Sequence, residues 1–384
     1  MCLEPTAPAG KQVVDIRVDD RIRKISPSRV LMARPEFGAL AGTLLVIAIF
    51  AISAQGSGMF SAEGIVNWST VAAYLGVLAV GAALLMIAGE FDLSVGSMIG
   101  FAGIILAIPA LYWNWPIWVS VLFTFAVALS LGWLNGWLVV KTGLPSFIVT
   151  LAFFFILRGL ALAVSVIFTG KTILSGNGDL ILRDLIANDP VIAFLFHGYT
   201  FTGFFDFLAR AGLITARENG TAMATGMPKA VVWWVVLTAV GAFVLARTRV
   251  GNWIQVVGGD SNVAKNVGIP VAKVKISLFI FMAFCATVFA VLQVADAGSA
   301  AADRGLQKEF EAIIAAVIGG CLLTGGYGSV IGAAFGALIF GMVQIGIGYT
   351  SIDNNWYRVF LGLMLLIAVL FNNYIRVRFA SLKR

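Results

Sequence analysis

The side chains of this chain that could carry chemistry are few and far apart. Glu90 and Asp92 stand in "GEFDLSVGS" (89–97), between apolar runs at 66–88 and 98–111; Arg158 lies inside another apolar run, and Asp296 closes a further one. There is one histidine, His197, and the three cysteines, Cys2, Cys285 and Cys321, are scattered, two of them in apolar runs. That inventory offers neither a metal site nor a nucleophile with its base, and thiols in apolar runs read as small hydrophobes. A proton relay would need acids deep in several helices, and too few are present. The carboxylates therefore read as architecture. An Asp followed by Leu-Ser at the head of an apolar helix suits a cap, which takes free N–H groups and complements the positive end of the helix dipole. Asp92 and Ser94 are expected to hold a broken corner, with Gly89 and Gly96 allowing close backbone approach and Glu90 pointing to water. Arg158 sits about twelve residues into its run, roughly 18 Å deep at 1.5 Å per residue, and needs a partner or a wet cavity. Glu90, Asp92 and Asp296 are the available carboxylates, and a structural contact is favoured over a direct solute contact. Asn135, Thr150 and Gln344 are candidates for neutral hydrogen bonding along a pathway.

The elements that must position these groups are membrane spans. Of 384 residues, 60% are hydrophobic and 12% charged, against roughly 25% charged in a soluble domain. Runs near the 17 to 25 residues that cross a hydrocarbon core recur along almost the whole length. The fold class expected is all-α and polytopic, with about ten transmembrane helices, at 37–54, 66–88, 94–111, 117–140, 146–169, 230–246, 276–295, 312–323, 330–349 and 359–372. The runs 312–323 and 359–372 are short, and the first reads as a broken or re-entrant helix, tolerable only where protein covers its backbone. The first run shows no small-residue exit of the kind a cleaved leader needs and is read as a retained span.

With the N-terminus inside, the inner segments hold seventeen Lys/Arg and the outer ones fewer than half as many, among them Lys171, Arg183, Arg210, Arg217, Lys229, Arg304 and Lys308. This positive-inside bias accounts for the net charge of +7 without nucleic acid. It implies an inner-membrane, multi-pass protein with both termini cytoplasmic: a segment 1–36, a transmembrane domain 37–373 and a basic tail 374–384. Within the domain, 170–228 is a long periplasmic loop and 247–275 an inner loop. The apolar stretch 191–209 contains His197, Asp206 and two glycines, and counting it as a crossing would reverse the charge bias; an outer helix on the membrane or over the spans is expected.

In the inner loop, "GGDSNVAKNVGI" reads as a glycine turn, an N-cap at Asp260 or Ser261, and a short helix ending at Gly268. "GSMIGFA" (96–102) and "GSVIGAA" (328–334) agree at five of seven positions, as an internal repeat or as convergent small-residue packing. Trp113, Trp115 and Trp118, with Trp233 and Trp234, read as an interfacial belt in preference to a sugar platform.

Four stretches then carry a family resemblance: "GEFDLSVGS", "NGWLVVKTGLPSFIVTLAFFFILRG" (135–159), "GNWIQVVGGDSNVAKNVGIPVAKVK" (251–275) and "EFEAIIAAVIGGCLLTGGYGSVIG" (309–332). In that order they resemble the motifs of the transmembrane permeases of bacterial ribose-type sugar ABC importers. The resemblance implies a second permease copy, identical or similar, two cytosolic ATPase subunits and a periplasmic sugar-binding protein. ATP and Mg would sit on the partners, with no cofactor and no metal in this chain. Gly258, Gly259, Asp260, Ala264 and Gly268 would form the coupling loop; Asp92, Ser94, Gly96, Asn135, Pro145, Thr150 and Arg158 the corner or pathway; Gly100, Gly328, Gly332 and Gly336 helix packing. The chain departs from the family pattern at Glu90, where a neutral residue is usual, at Glu311 in place of Asp, and in the length of 170–228. "SVIFTGKT" (165–172) has Ser165 where a phosphate-binding loop needs Gly and reads as chance. The alternatives are a related permease for branched-chain amino acids or nucleosides, and an ion-coupled transporter working alone.

Overall fold

A computed structural model describes residues 35–381 apart from 179, 351 and 354. The expectations for residues 1–34 and for the side chains of the basic tail fall outside the described residues. The chain opens with five long helices, α1 Pro35–Ser53, α2 Ala62–Ile87, α3 Val95–Tyr112, α4 Ile117–Thr142 and α5 Ser146–Thr169. Segment 170–228 follows as short elements: β1 Ile173–Leu174, β2 Gly176–Asn177, β3 Leu180–Ile181, α6 Leu182–Asn188, α7 Pro190–Phe196, β4 Tyr199–Thr200, α8 Thr202–Arg210 and β5 Met227–Pro228. Then come α9 Lys229–Arg247, α10 Arg249–Gly259, α11 Ser261–Asn266, α12 Val271–Ala297, β6 Ala300–Ala301, α13 Lys308–Ile318, α14 Val330–Gly346 and α15 Trp356–Ser381. Prolines 116, 145, 228 and 270 each stand immediately before a long helix, where a missing N–H costs nothing.

Among the described residues eight helices are long and apolar enough to cross a membrane, and the two expected short spans appear as α13, of 11 residues, and the apolar part of α15. Helices apolar all round carry no stripe that says which faces protein and which faces lipid. Packing shows it: 89% of the apolar window of α3 is buried, against 22% for α1 and 22% for α9. The centre is α3 with α2 and α12, and α1, α4, α5 and α9 surround it.

The broken span is built from an extended lead-in and a short helix. After α12 the chain pairs β6 with β1, antiparallel, and runs back along α3. A side chain at Gly100 would overlap the Ala302 carbonyl, and one at Gly96 would overlap the Glu309 carboxylate. Only a glycine face lets a non-helical backbone lie this close, and α3 thereby covers the polar groups that lipid could not satisfy. Gly332 and Gly336 repeat the device on α14, against the carbonyls of Gly319 and Ala315 on and after α13. Gly328 abuts Cys321 and Ile87.

The stretch 191–209 is two short helices, α7 and α8, broken at 197–201 where Gly198 and Phe201 take φ of 79° and 60°. It is therefore not the single outer helix expected. Segment 247–275 is also more ordered than expected: α10 and α11 fill most of it.

Candidate functional site

The connection 88–94 between α2 and α3 is an extended corner whose backbone is held by side chains of α5 and whose Ser94 side chain is braced from α4. Alternate amides point the same way in extended chain, and here the Phe91 N–H donates to Ser146 Oγ (3.0 Å) and the Leu93 N–H to Thr150 Oγ1 (3.1 Å). Ser146 and Thr150 are one turn apart on α5, just after Pro145, so a single helix face satisfies both donors. Asp92 Oδ1 accepts from the Ser94 N–H (2.8 Å) and the Ser94 hydroxyl (2.6 Å), and Asn135 Nδ2 of α4 donates to Ser94 Oγ (3.1 Å). Asp92, Ser94, Asn135 and Thr150 thus do come together. Asp92 closes a local turn and does not cap α3, which has no side-chain cap. Asn135 and Thr150 are buried braces; Gln344 accepts a hydrogen bond from Tyr357 (3.3 Å).

Two corrections concern charge. Glu90 does not point to water: it is buried and ion-paired with Lys275 near the start of α12. Arg158 is not matched with Glu90, Asp92 or Asp296. Its field acts on Glu309, at the start of α13, which is 1% exposed and whose Oε2 has no hydrogen-bond partner. That carboxylate lies against Gly96 in the first turn of α3, where the helix dipole favours negative charge.

Next to the corner, segment 258–268 has the expected local form. Asp260, not Ser261, is the cap: its Oδ1 accepts from the N–H groups of Asn262 (2.7 Å) and Val263 (3.1 Å). Gly268 ends the unit at φ 81°, Ala264 is fully buried, and Val263 and Val267 are turned outward.

Three glycine-rich stretches that are distant in sequence converge here. The Gly326 N–H donates to the Ile87 carbonyl (2.8 Å), closing turn 320–329 onto the end of α2. A Cβ on Gly258 would overlap the Ile87 carbonyl and come within 2.6 Å of Gly326 N. A Cβ on Gly325 would lie 2.7 Å from the Gly258 carbonyl and 2.8 Å from Gly89 Cα. Gly89, Gly325 and Gly326 hold φ of 81°, 79° and 78°, a region that other residues enter at a cost of roughly 1–2 kcal/mol. Gly259 abuts Gly326 through its backbone. Contact of backbone with backbone has no rotamers to absorb movement, so a displacement of α10–α11 must move the corner or break the packing. The same turn is tied to α1, where Ser329 Oγ donates to Glu36 Oε1 (2.8 Å). Burial and the Glu36 carboxylate push the Tyr327 phenol up.

Gly258, Gly259, Asp92, Ser94, Asn135, Pro145 and Thr150 gather at this end of the bundle. Ser146, Lys275, Glu309 and the Gly325–Gly326 pair are essential to it and were not singled out from sequence. The double glycine in "TGGYG" was a usable signal; the partners of a lone Lys or Ser are not encoded in spacing.

Residues 64–369 match the family of branched-chain amino acid transport system permease components, and the chain belongs to that family. It is similar to the xylose transport system permease protein XylH of Haemophilus influenzae, 30% identical over 86% of this chain and 94% of that protein. The fructose import permease protein FrcC of Rhizobium meliloti is 28% identical over 87% of this chain and 84% of its own length. The ribose import permease protein RbsC of Haemophilus influenzae is 27% identical, covering 86% and 91%. No solved structure matches the chain.

Proposed function

We propose that this chain is the transmembrane subunit of an ATP-binding-cassette importer for a sugar or similar polyol. Two cytosolic ATPase subunits, carrying ATP and Mg, supply the work. A periplasmic binding protein supplies solute, and a second permease copy completes the pathway. The subunit itself does no covalent chemistry and holds no cofactor; residues 1–36 and the tail from 374 are cytoplasmic. The observation that carries this reading is the glycine junction, in which a capped helix with outward Val263 and Val267 is locked by its backbone to the corner of the central helices. Such a helix suits a groove on a soluble partner, and its rigid root gives the partner's closure a route into the bundle. Xylose, fructose and ribose in the names of the relatives favour a sugar over the amino acids in the family's description.

The test is uptake of D-xylose, D-ribose and D-fructose by proteoliposomes holding the chain with its ATPase and binding protein. ATP-dependent uptake of at least one is expected, and none by the chain alone. Uptake by the chain alone, driven by an ion gradient, would overturn the reading.

A further inference from the structure

At the end opposite the glycine junction, segment 170–228 roofs a cavity of about 510 Å³ with a mixed polar and apolar wall. Its polar groups come from Asn67 and Thr70 of α2, from Arg183, His197 and Tyr199 of the roof, and from Asp296 near the end of α12, while Val66, Val71 and Ile345 add apolar wall. We propose that this vestibule is a solute site of the single subunit, binding a neutral polyhydroxylated molecule on its way into the bundle. The ligand class rests on the sugar-import reading; the cavity and its lining do not.

Size and chemistry both point to a small polyol. The volume lies within the roughly 300–1,000 Å³ of small-molecule sites. The wall offers a carboxylate acceptor, guanidinium donors, an amide, a hydroxyl and an imidazole. Each hydroxyl of a polyol is at once donor and acceptor and can use such a mixture, and its C–H faces can lie against Val66, Val71 and Ile345. Arg183 and Asp296 are close enough to feel each other's charge, and their formal charges cancel, so a neutral ligand leaves no net charge unbalanced. His197 Nδ1 is buried without a hydrogen-bond partner, a polar atom left unused by the fold, and the Tyr199 ring is exposed. Beneath the site the Tyr74 hydroxyl donates to the Asp296 carboxylate, clamping α2 to α12. The same two helices end at the glycine junction, through Ile87 and through the Glu90–Lys275 pair. Occupancy of the vestibule therefore bears on the helices that the coupling segment moves. The additional length of 170–228 gains a role as the roof.

Site-directed labelling tests this. Cys285 and Cys321 are buried, so with Cys2→Ser the variant Asn67→Cys places one reactive thiol in the wall. Full-length chain in nanodiscs is labelled with a charged maleimide, with and without D-xylose, D-ribose or D-fructose at 100 mM, and with glycine betaine as osmotic control. At least a threefold slowing by one sugar is expected without binding protein, and loss of that protection when Arg183→Ala or His197→Ala is added. Labelling unaffected by every sugar, in an assembly that imports sugar, overturns the site and leaves the proposed function standing. Protection that requires the binding protein and ignores the sugar makes the cavity a protein socket and also overturns it. Protection in an assembly with no ATP-driven sugar uptake upholds the site and overturns the transport reading.

Discussion

The two ends of this molecule are built on opposite terms. At one end three glycine stretches meet backbone to backbone, with Gly258 and Gly325 leaving no room for a single added carbon and Gly89 held at φ 81°. At the other, short helices and two-residue strands cover an open cavity of mixed lining, and glycines such as Gly203 and Gly212 face empty space. The close-packed end can only move as a body; the open end has room to adjust. The contrast teaches that one chain can pair a rigid end with an open one, with α2 and α12 running between them.

Adding one carbon at each end is the sharpest way to test that contrast. Gly258→Ala should reduce ATP-driven uptake by two orders of magnitude or more, through loss of the junction or of the assembly, measured in proteoliposomes beside ATPase activity. Near-normal uptake would break the comparison. Lys275→Ala should leave Glu90 buried and uncompensated and destabilise the chain by about 3–5 kcal/mol, read as a lower thermal midpoint in detergent. The pair Glu90→Gln with Lys275→Met should recover most of that loss, since neither charge then needs a partner.

Smaller effects follow. Thr150→Val removes the acceptor for the Leu93 N–H and should cost about 1–3 kcal/mol. Gly268→Val should uncouple ATP hydrolysis from uptake with the assembly intact, because a β-branched residue at φ 81° distorts the end of the coupling helix while no neighbour is struck. At the open end Gly203→Ala, inside α8 with nothing within 4 Å, should stabilise slightly, by about 0.5–1 kcal/mol, and leave uptake unchanged. Opposite signs for the same kind of change at Gly258 and Gly203 would confirm that the ends differ in packing and not in glycine content.

Much of the coupling end was readable in the sequence. Asp260 as a cap, Gly268 as a stop and the corner at 89–94 follow from local rules, since each depends on neighbours within a few residues. Glu90 defeated that approach: a carboxylate beside a glycine reads as exposed, and only Lys275, from a helix nearly two hundred residues on, makes its burial tolerable. Arg158 failed in the same way, because Glu309 enters its surroundings through a re-entrant segment that hydropathy shows only as a short span.

By itself the sequence determined the all-helical membrane character, the approximate spans, the capped helix at 261–266 and the glycine positions, because hydrophobic length, capping and backbone freedom are properties of contiguous residues. Only the tertiary structure decided which helices occupy the centre, that Gly89, Gly258 and Gly325 share one junction, and which buried charge answers which. In uniformly apolar helices no pattern of hydrophobicity distinguishes a protein neighbour from lipid, so those choices rest on the fit of surfaces brought together from distant parts of the chain.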